Sequence, residues 1–303
     1  MMELLRIIKT DMKKVFTSFG FYSCVIITFL LCFTYNLSYD YIANEGLSVF
    51  AVFTRYSRSE LLENIDYCTL SVFRLSISQW VILFIPIIAS FSFVPLFCDE
   101  RNSKLIRYST IRTSKITYNV GKFISAFLAG GLAILIGHIL FGIAIHFMFP
   151  SISEYPAELQ DSFMESLTFI EPEIAILYKA IGSIGLIIPR LFELFLYGAI
   201  SSIPVLVLAA ISKNIYVIIC VPFLAKYLID QTMRKISFNL YMNNENPDKL
   251  LQDFLIIFDT NATQNLFIYS DYIIKIIVVN LVYTVIAYLI FSFIMNRRLD
   301  LGE

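Results

Sequence analysis

Residues 123–149 read FISAFLAGGLAILIGHILFGIAIHFMF and carry no formal charge; the charge-free run extends from Lys122 to Glu154. A helix needs about 20 mostly apolar residues to cross ~30 Å of hydrocarbon, and this run exceeds that. Comparable runs lie between Lys14 and Asp40, Arg74 and Asp99, Glu193 and Lys213, and Lys275 and Arg297. A sixth, Asn214 to Met233, carries Lys226 and Asp230 alone. The chain has 303 residues, 58% hydrophobic and 16% charged, which is too apolar for a soluble domain of ordinary composition. The pattern predicts one all-α, polytopic membrane domain over residues 1–303 with six transmembrane helices.

The five cysteines have no C-x-x-C or Cys/His spacing, so they read as small apolar residues rather than a disulfide framework or a metal site. The first apolar run is too long for the h-region of a signal peptide and reads as a retained span.

Lysine and arginine set the expected orientation. Arg6, Lys9, Lys13 and Lys14 precede span one; Arg101, Lys104, Arg107, Arg112, Lys115 and Lys122 follow span two; Lys213 lies between spans four and five; Arg297 and Arg298 follow span six. The opposite side holds Arg55, Arg58, Arg74, Lys179, Arg234, Lys235 and Lys249, fewer in much longer segments. The positive-inside bias therefore predicts a multi-pass protein of the cell membrane with both termini cytoplasmic. Residues 1–19 pattern as an amphipathic interfacial helix, with Leu4, Leu5, Ile8, Met12, Val15 and Phe16 against Arg6, Lys9, Lys13 and Lys14. The expected spans are 20–37, 75–98, 118–149, 187–211, 214–233 and 272–296. Residues 38–74, 150–185 and 234–270 lie outside, and 99–117 form the cytoplasmic loop. Within the last outside segment, Leu250 to Phe258 is too short to span and reads as an interfacial or re-entrant helix.

In the cytoplasmic loop, Phe97 closes span two and the acid Glu100 follows it. A helix-compatible segment with Leu105 and Ile106 comes next, then the pair Ser114-Lys115, Tyr118, and Lys122 where span three runs. This loop resembles the first cytoplasmic loop of ABC-2 type permeases, the membrane subunits of one class of ATP-driven exporters. Asn102, Ser103 and Lys104 stand where the family usually has a glycine, and Arg112-Thr113 where it has a proline. The six spans and the long outer segment between spans five and six agree with the same resemblance. It implies a coupling helix that docks on a partner ATPase, formed here by Glu100, Arg101, Lys104, Leu105, Ile106, Arg107 and Tyr108. It also implies outward transport of an amphipathic substrate, a peptide, lipid-like molecule or drug.

The sequence has no G-x-x-x-x-G-K-[ST] run, and no H-E-x-x-H or G-x-S-x-G. The expected protein is thus a transport subunit and not an enzyme, without cofactor or metal of its own. ATP and Mg would belong to a P-loop ATPase subunit, and a second permease subunit, identical or not, would complete the path. Membrane lipid is the other expected contact, and nucleic acid is not expected. The alternative is a non-transporting polytopic immunity, sensor or scaffold protein.

Ionisable groups at membrane depth are costly and mark candidate sites. Lys226 and Asp230 (i, i+4) on span five and Arg190 and Glu193 (i, i+3) on span four fall near one membrane level. They read either as structural ion pairs or as the lining of a substrate path or gate. His138 and His146 read as packed histidines, and Asn261-Ala262-Thr263 matches a glycosylation acceptor.

Overall fold

The computed structural model describes residues 2–40, 44–78, 80–103, 105–243 and 249–301, most of them helical. Helices α1 (Met2–Thr17) and α2 (Phe19–Cys32) meet at a 63° bend. Ser18 makes that corner: its hydroxyl accepts the Phe21 N–H and so caps α2. The inward stripe of α1, Leu4, Ile7, Met12 and Val15, lies on the bundle, where Ile7 covers Gly121 so closely that a Cβ there would stand 2.6 Å from it.

α2 has 14 residues, about 21 Å at 1.5 Å per residue, and stops short of the expected end at Leu37. The chain turns instead into a short antiparallel pair, β1 (Asn36–Asp40) and β2 (Glu45–Ser48), a small hairpin in an otherwise all-α fold. Asn44 adopts φ 54°, a left-handed conformation that Asn tolerates better than most residues. Arg55, at the end of α3 (Val49–Arg55), pairs with Asp40 and Glu45 and ties the hairpin down. The short helices α4 (Arg58–Leu61) and α5 (Thr69–Leu75) complete this segment.

The second span begins at Val81 rather than Leu75 and is broken into α6 (Val81–Phe91) and α7 (Val94–Asn102). Pro95 explains the break. It has no N–H for the Phe91 carbonyl and its ring crowds that oxygen. The freed carbonyl is met by Gly20 of α2, where a Cβ would come within 2.9 Å. α7 runs past Cys98 and takes Glu100 and Arg101 into its last turn. α8 (Leu105–Arg112) follows, and Ser114 caps α9 (Lys115–Met148), 34 residues or about 51 Å long. α10 (Ala157–Ile170) and α11 (Pro172–Ile181) fold over the far end of the bundle. α12 (Ile184–Ile211) returns through it, and α13 (Ile215–Asn243) runs ten residues beyond the expected end at Met233. α14 (Lys249–Ile257) is the short helix expected at Leu250–Phe258, and α15 (Ile273–Leu301) closes the chain.

Among the described residues, five helical units are long and apolar enough to cross a membrane, six if α1 and α2 count as one bent unit. α2, α6, α9 and α12 make the core. α9 and α12 cross at paired glycines: a Cβ on Gly130 would lie 2.9 Å from the Gly198 carbonyl, and one on Gly198 the same distance from that of Gly130. Small residues at such crossings let apolar helices gain close packing where no hydrophobic effect drives them together. α13 and α15 are the opposite case, with 17% and 11% of their apolar windows buried.

Segments that the charge count put on one side meet at one end. Lys14 pairs with Glu100, Arg101 donates to the Ala209 and Ser212 carbonyls, and Arg298 donates to that of Ile211. The other end gathers Arg58 with Glu154, Arg74 with Glu171, and Thr69 with the Phe149 and Pro150 carbonyls.

Candidate functional site

Two polar clusters sit in this apolar bundle, one towards each end. The first contains all four membrane-depth charges singled out in the sequence. Arg190 and Glu193 face inward from one side of α12 because i and i+3 share a helix face. Their side chains are 7% and 5% exposed and 3.1 Å apart. Arg190 also donates to the Gln264 carbonyl at 2.8 Å and to the Ile77 carbonyl at 3.2 Å, while Glu193 accepts the Phe267 N–H at 3.1 Å. Lys226 and Asp230 of α13 are 3.2 Å apart. Lys226 donates to the Asn261 Oδ1 at 2.8 Å and lies over the Tyr197 ring, and Asp230 accepts from Thr260 and Asn261. Tyr197 reaches the same Asn261 oxygen at 3.2 Å.

The four charges make no direct four-membered cluster. Residues 260–267 lie between the two pairs and bond to each, so the pairs act as two clamps on one buried turn. Both pairs are largely buried. Asn261, matched in the sequence as a glycosylation acceptor, is also buried with its amide spent on Lys226, Asp230 and Tyr197, so it is no accessible acceptor. Sequence reasoning missed Tyr197, Thr260, Asn261 and Gln264 as site residues. Thr260, Asn261 and Gln264 belong to a mostly polar run, Asp259 to Asn265, between apolar stretches of the segment expected outside, whereas Tyr197 lies in the apolar run of α12 without such a signal.

Beside this turn, α13, α14 and residues 259–269 enclose an open cavity of about 470 Å³. Asp230, Arg234, Asp259 and Gln264 line it together with apolar Ile82, Met233 and Leu255. Burial pushes the Asp259 carboxyl above its ordinary range; the N–H of Asn261 opposes the shift and the negative charge of Asp230 adds to it.

The second cluster joins α1, α7 and α9. Lys122 Nζ is 2.7 Å from Asp11 and 2.6 Å from Glu100, whose other oxygen is 2.6 Å from Lys14. The Tyr118 and Phe93 rings flank the Lys122 ammonium at 5.4 and 5.9 Å. Two acids and two bases neutralise one another here, as buried charges must.

The seven residues expected to face a partner ATPase therefore divide. Glu100 and Arg101 turn inward, to Lys122 and to the end of α12, and Ile106 is buried. Leu105 and Tyr108, at i and i+3 on α8, are 50% and 69% exposed. Lys104 and the Arg107 side chain lie outside the described residues. His138 is buried against Phe73 and Phe141 and near Ser76, whereas His146 lies exposed. Compared with known family models, curated proteins and solved structures, the chain shows no match.

Proposed function

We propose that this chain is the permease subunit of an ATP-driven exporter of the ABC-2 type. It carries an amphipathic substrate outward while a separate P-loop ATPase hydrolyses ATP with Mg. In this reading both termini are cytoplasmic, α1 rests at the inner leaflet, and α8 is the coupling helix. The exposed apolar faces of α13 and α15 meet lipid and a second permease subunit.

The observation that carries the reading is the pairing of an exposed contact with a buried lever at one end of the bundle. Leu105 and Tyr108 project from α8, as an apolar anchor for a partner would. Immediately before α8, Glu100 is fastened to Lys122 of α9 and Lys14 of α1, and Arg101 to the end of α12. A push on α8 is thus delivered to three helices through short ionic and hydrogen-bonded links, which a merely solvated loop would not provide.

The test is co-purification in mild detergent from the native membrane, with the retained proteins searched for a P-loop ATPase. The parent chain should retain the ATPase, and a Leu105→Asp/Tyr108→Ala variant should lose it without a change in thermal unfolding. A folded chain that retains no ATPase, or a variant that retains it as the parent does, would sink the proposal.

A further inference from the structure

The charges lining the 470 Å³ cavity are not equivalent. Asp230 is satisfied by Lys226, Thr260 and Asn261. Arg234, one turn further along α13, has no carboxylate within ion-pairing distance among the described residues, although Asp259 lines the same cavity. Asp259 accepts the Asn261 N–H at one oxygen and forms no ion pair among the described residues. Gln264 spends its amide nitrogen on the Ile77 carbonyl and keeps its own side-chain oxygen. The cavity thus offers a guanidinium for an anion and, apart from it, a carboxylate and an amide oxygen for a hydrogen-bonding cation. Its volume falls within the range of about 300–1,000 Å³ usual for ligand sites.

α14 says where such a ligand comes from. Leu255 and Ile256 face the cavity, while Leu250, Phe254 and Phe258 are exposed on the other side. A short helix with apolar side chains facing outward beside a polar cavity suits the boundary between headgroups and acyl chains.

We propose that this cavity binds the headgroup of an aminophospholipid, with the phosphodiester on Arg234 and the primary ammonium between Asp259 and Gln264. A quaternary ammonium would fit less well. It has no N–H to donate and favours aromatic faces, and Tyr269 is the one aromatic residue among the described residues of the lining. The proposal rests on the membrane reading of the bundle and needs no ATPase, so its failure and that of the exporter reading are separable.

The test uses the purified full chain in micelles doped equally with phosphatidylethanolamine, phosphatidylcholine and phosphatidylglycerol of identical acyl chains. Retained lipid is read by native mass spectrometry. Phosphatidylethanolamine should be retained over both others. Arg234→Gln, at an exposed position, should lower its retention about 2- to 5-fold, the range of a partly solvated ion contact. Asp259→Asn should abolish the preference over phosphatidylglycerol, and Leu281→Ala, on the outward face of α15, should change neither. Equal retention of the three lipids, or Arg234→Gln and Asp259→Asn variants that both bind as the parent does, would overturn the proposal.

Discussion

Replacing Lys122 with Met removes a cation that two buried carboxylates share. The side chain is 4% exposed, and its partners Asp11 and Glu100 are 5% and 14% exposed. Met keeps most of the stem and packs between the same rings, so the change isolates the charge. Glu100 retains Lys14 at 2.6 Å, but among the described residues Asp11 retains no cation within ion-pairing distance. Removing one partner of a buried ion pair costs about 3–5 kcal/mol, because it leaves an uncompensated charge. That is about two to three and a half decades in the unfolding equilibrium. Lys14→Met, in a side chain 49% exposed, should cost under about 1 kcal/mol. Asp11→Asn in the Lys122→Met background should recover a large part of the loss, since it removes the orphaned charge; such coupling is what a double-mutant cycle measures. The assay is reversible unfolding in mixed micelles at rising denaturing-detergent fraction, followed by circular dichroism. A Lys122→Met variant within about 0.5 kcal/mol of the parent, or a double variant worse than the sum of the singles, would refute the reasoning.

Arg190→Leu should unfasten residues 261–268 by orphaning Glu193 and two carbonyls, a loss of about 3–5 kcal/mol, seen as faster amide exchange at Phe267 with α9 unaffected. Gly130→Leu should force α9 and α12 apart and cost about 1–3 kcal/mol in the same unfolding assay, since the new Cβ meets backbone as well as side-chain atoms. Asp259 supplies a pH dependence. Its folded-state carboxyl is raised, so the folded chain holds that proton more tightly than the unfolded chain does. Stability from this group is therefore present at low pH and lost as pH rises from the ordinary carboxylate range through the raised value. Asp259→Asn should flatten the stability profile across that window, as measured by unfolding at stepped pH.

The long helices were legible because charge-free length is a strong signal: α9, α12 and α15 lie within a few residues of their expected bounds. Their ends were less legible. Pro86, Pro95, Pro204 and Pro222 signal interruptions of spans two, four and five, but composition could not show that only Pro95 of these would split a helix, or that apolar residues after Cys32 would leave the helix for a strand pair. α13 outran its expected end because Arg234 and Lys235 terminate an apolar run without terminating a helix. At the site, the i, i+3 and i, i+4 spacings correctly paired Arg190 with Glu193 and Lys226 with Asp230. The third party to both pairs, residues 260–267, comes from 30 or more positions away and has no periodicity to announce it. The Asp11–Lys122 pair was hidden likewise, since the acid sits on a helix whose basic residues drew attention to its outer face.

The permease reading has a motor on another chain drive this bundle through α8. Its most direct test is site-directed photocrosslinking in membranes from a benzoylphenylalanine placed at Tyr108, with Ile143 on the apolar surface of α9 as the comparison position. A crosslink to a P-loop ATPase is expected from position 108 and none from 143. A folded, membrane-inserted chain that crosslinks to lipid alone, or to no ATPase, from position 108 would contradict it.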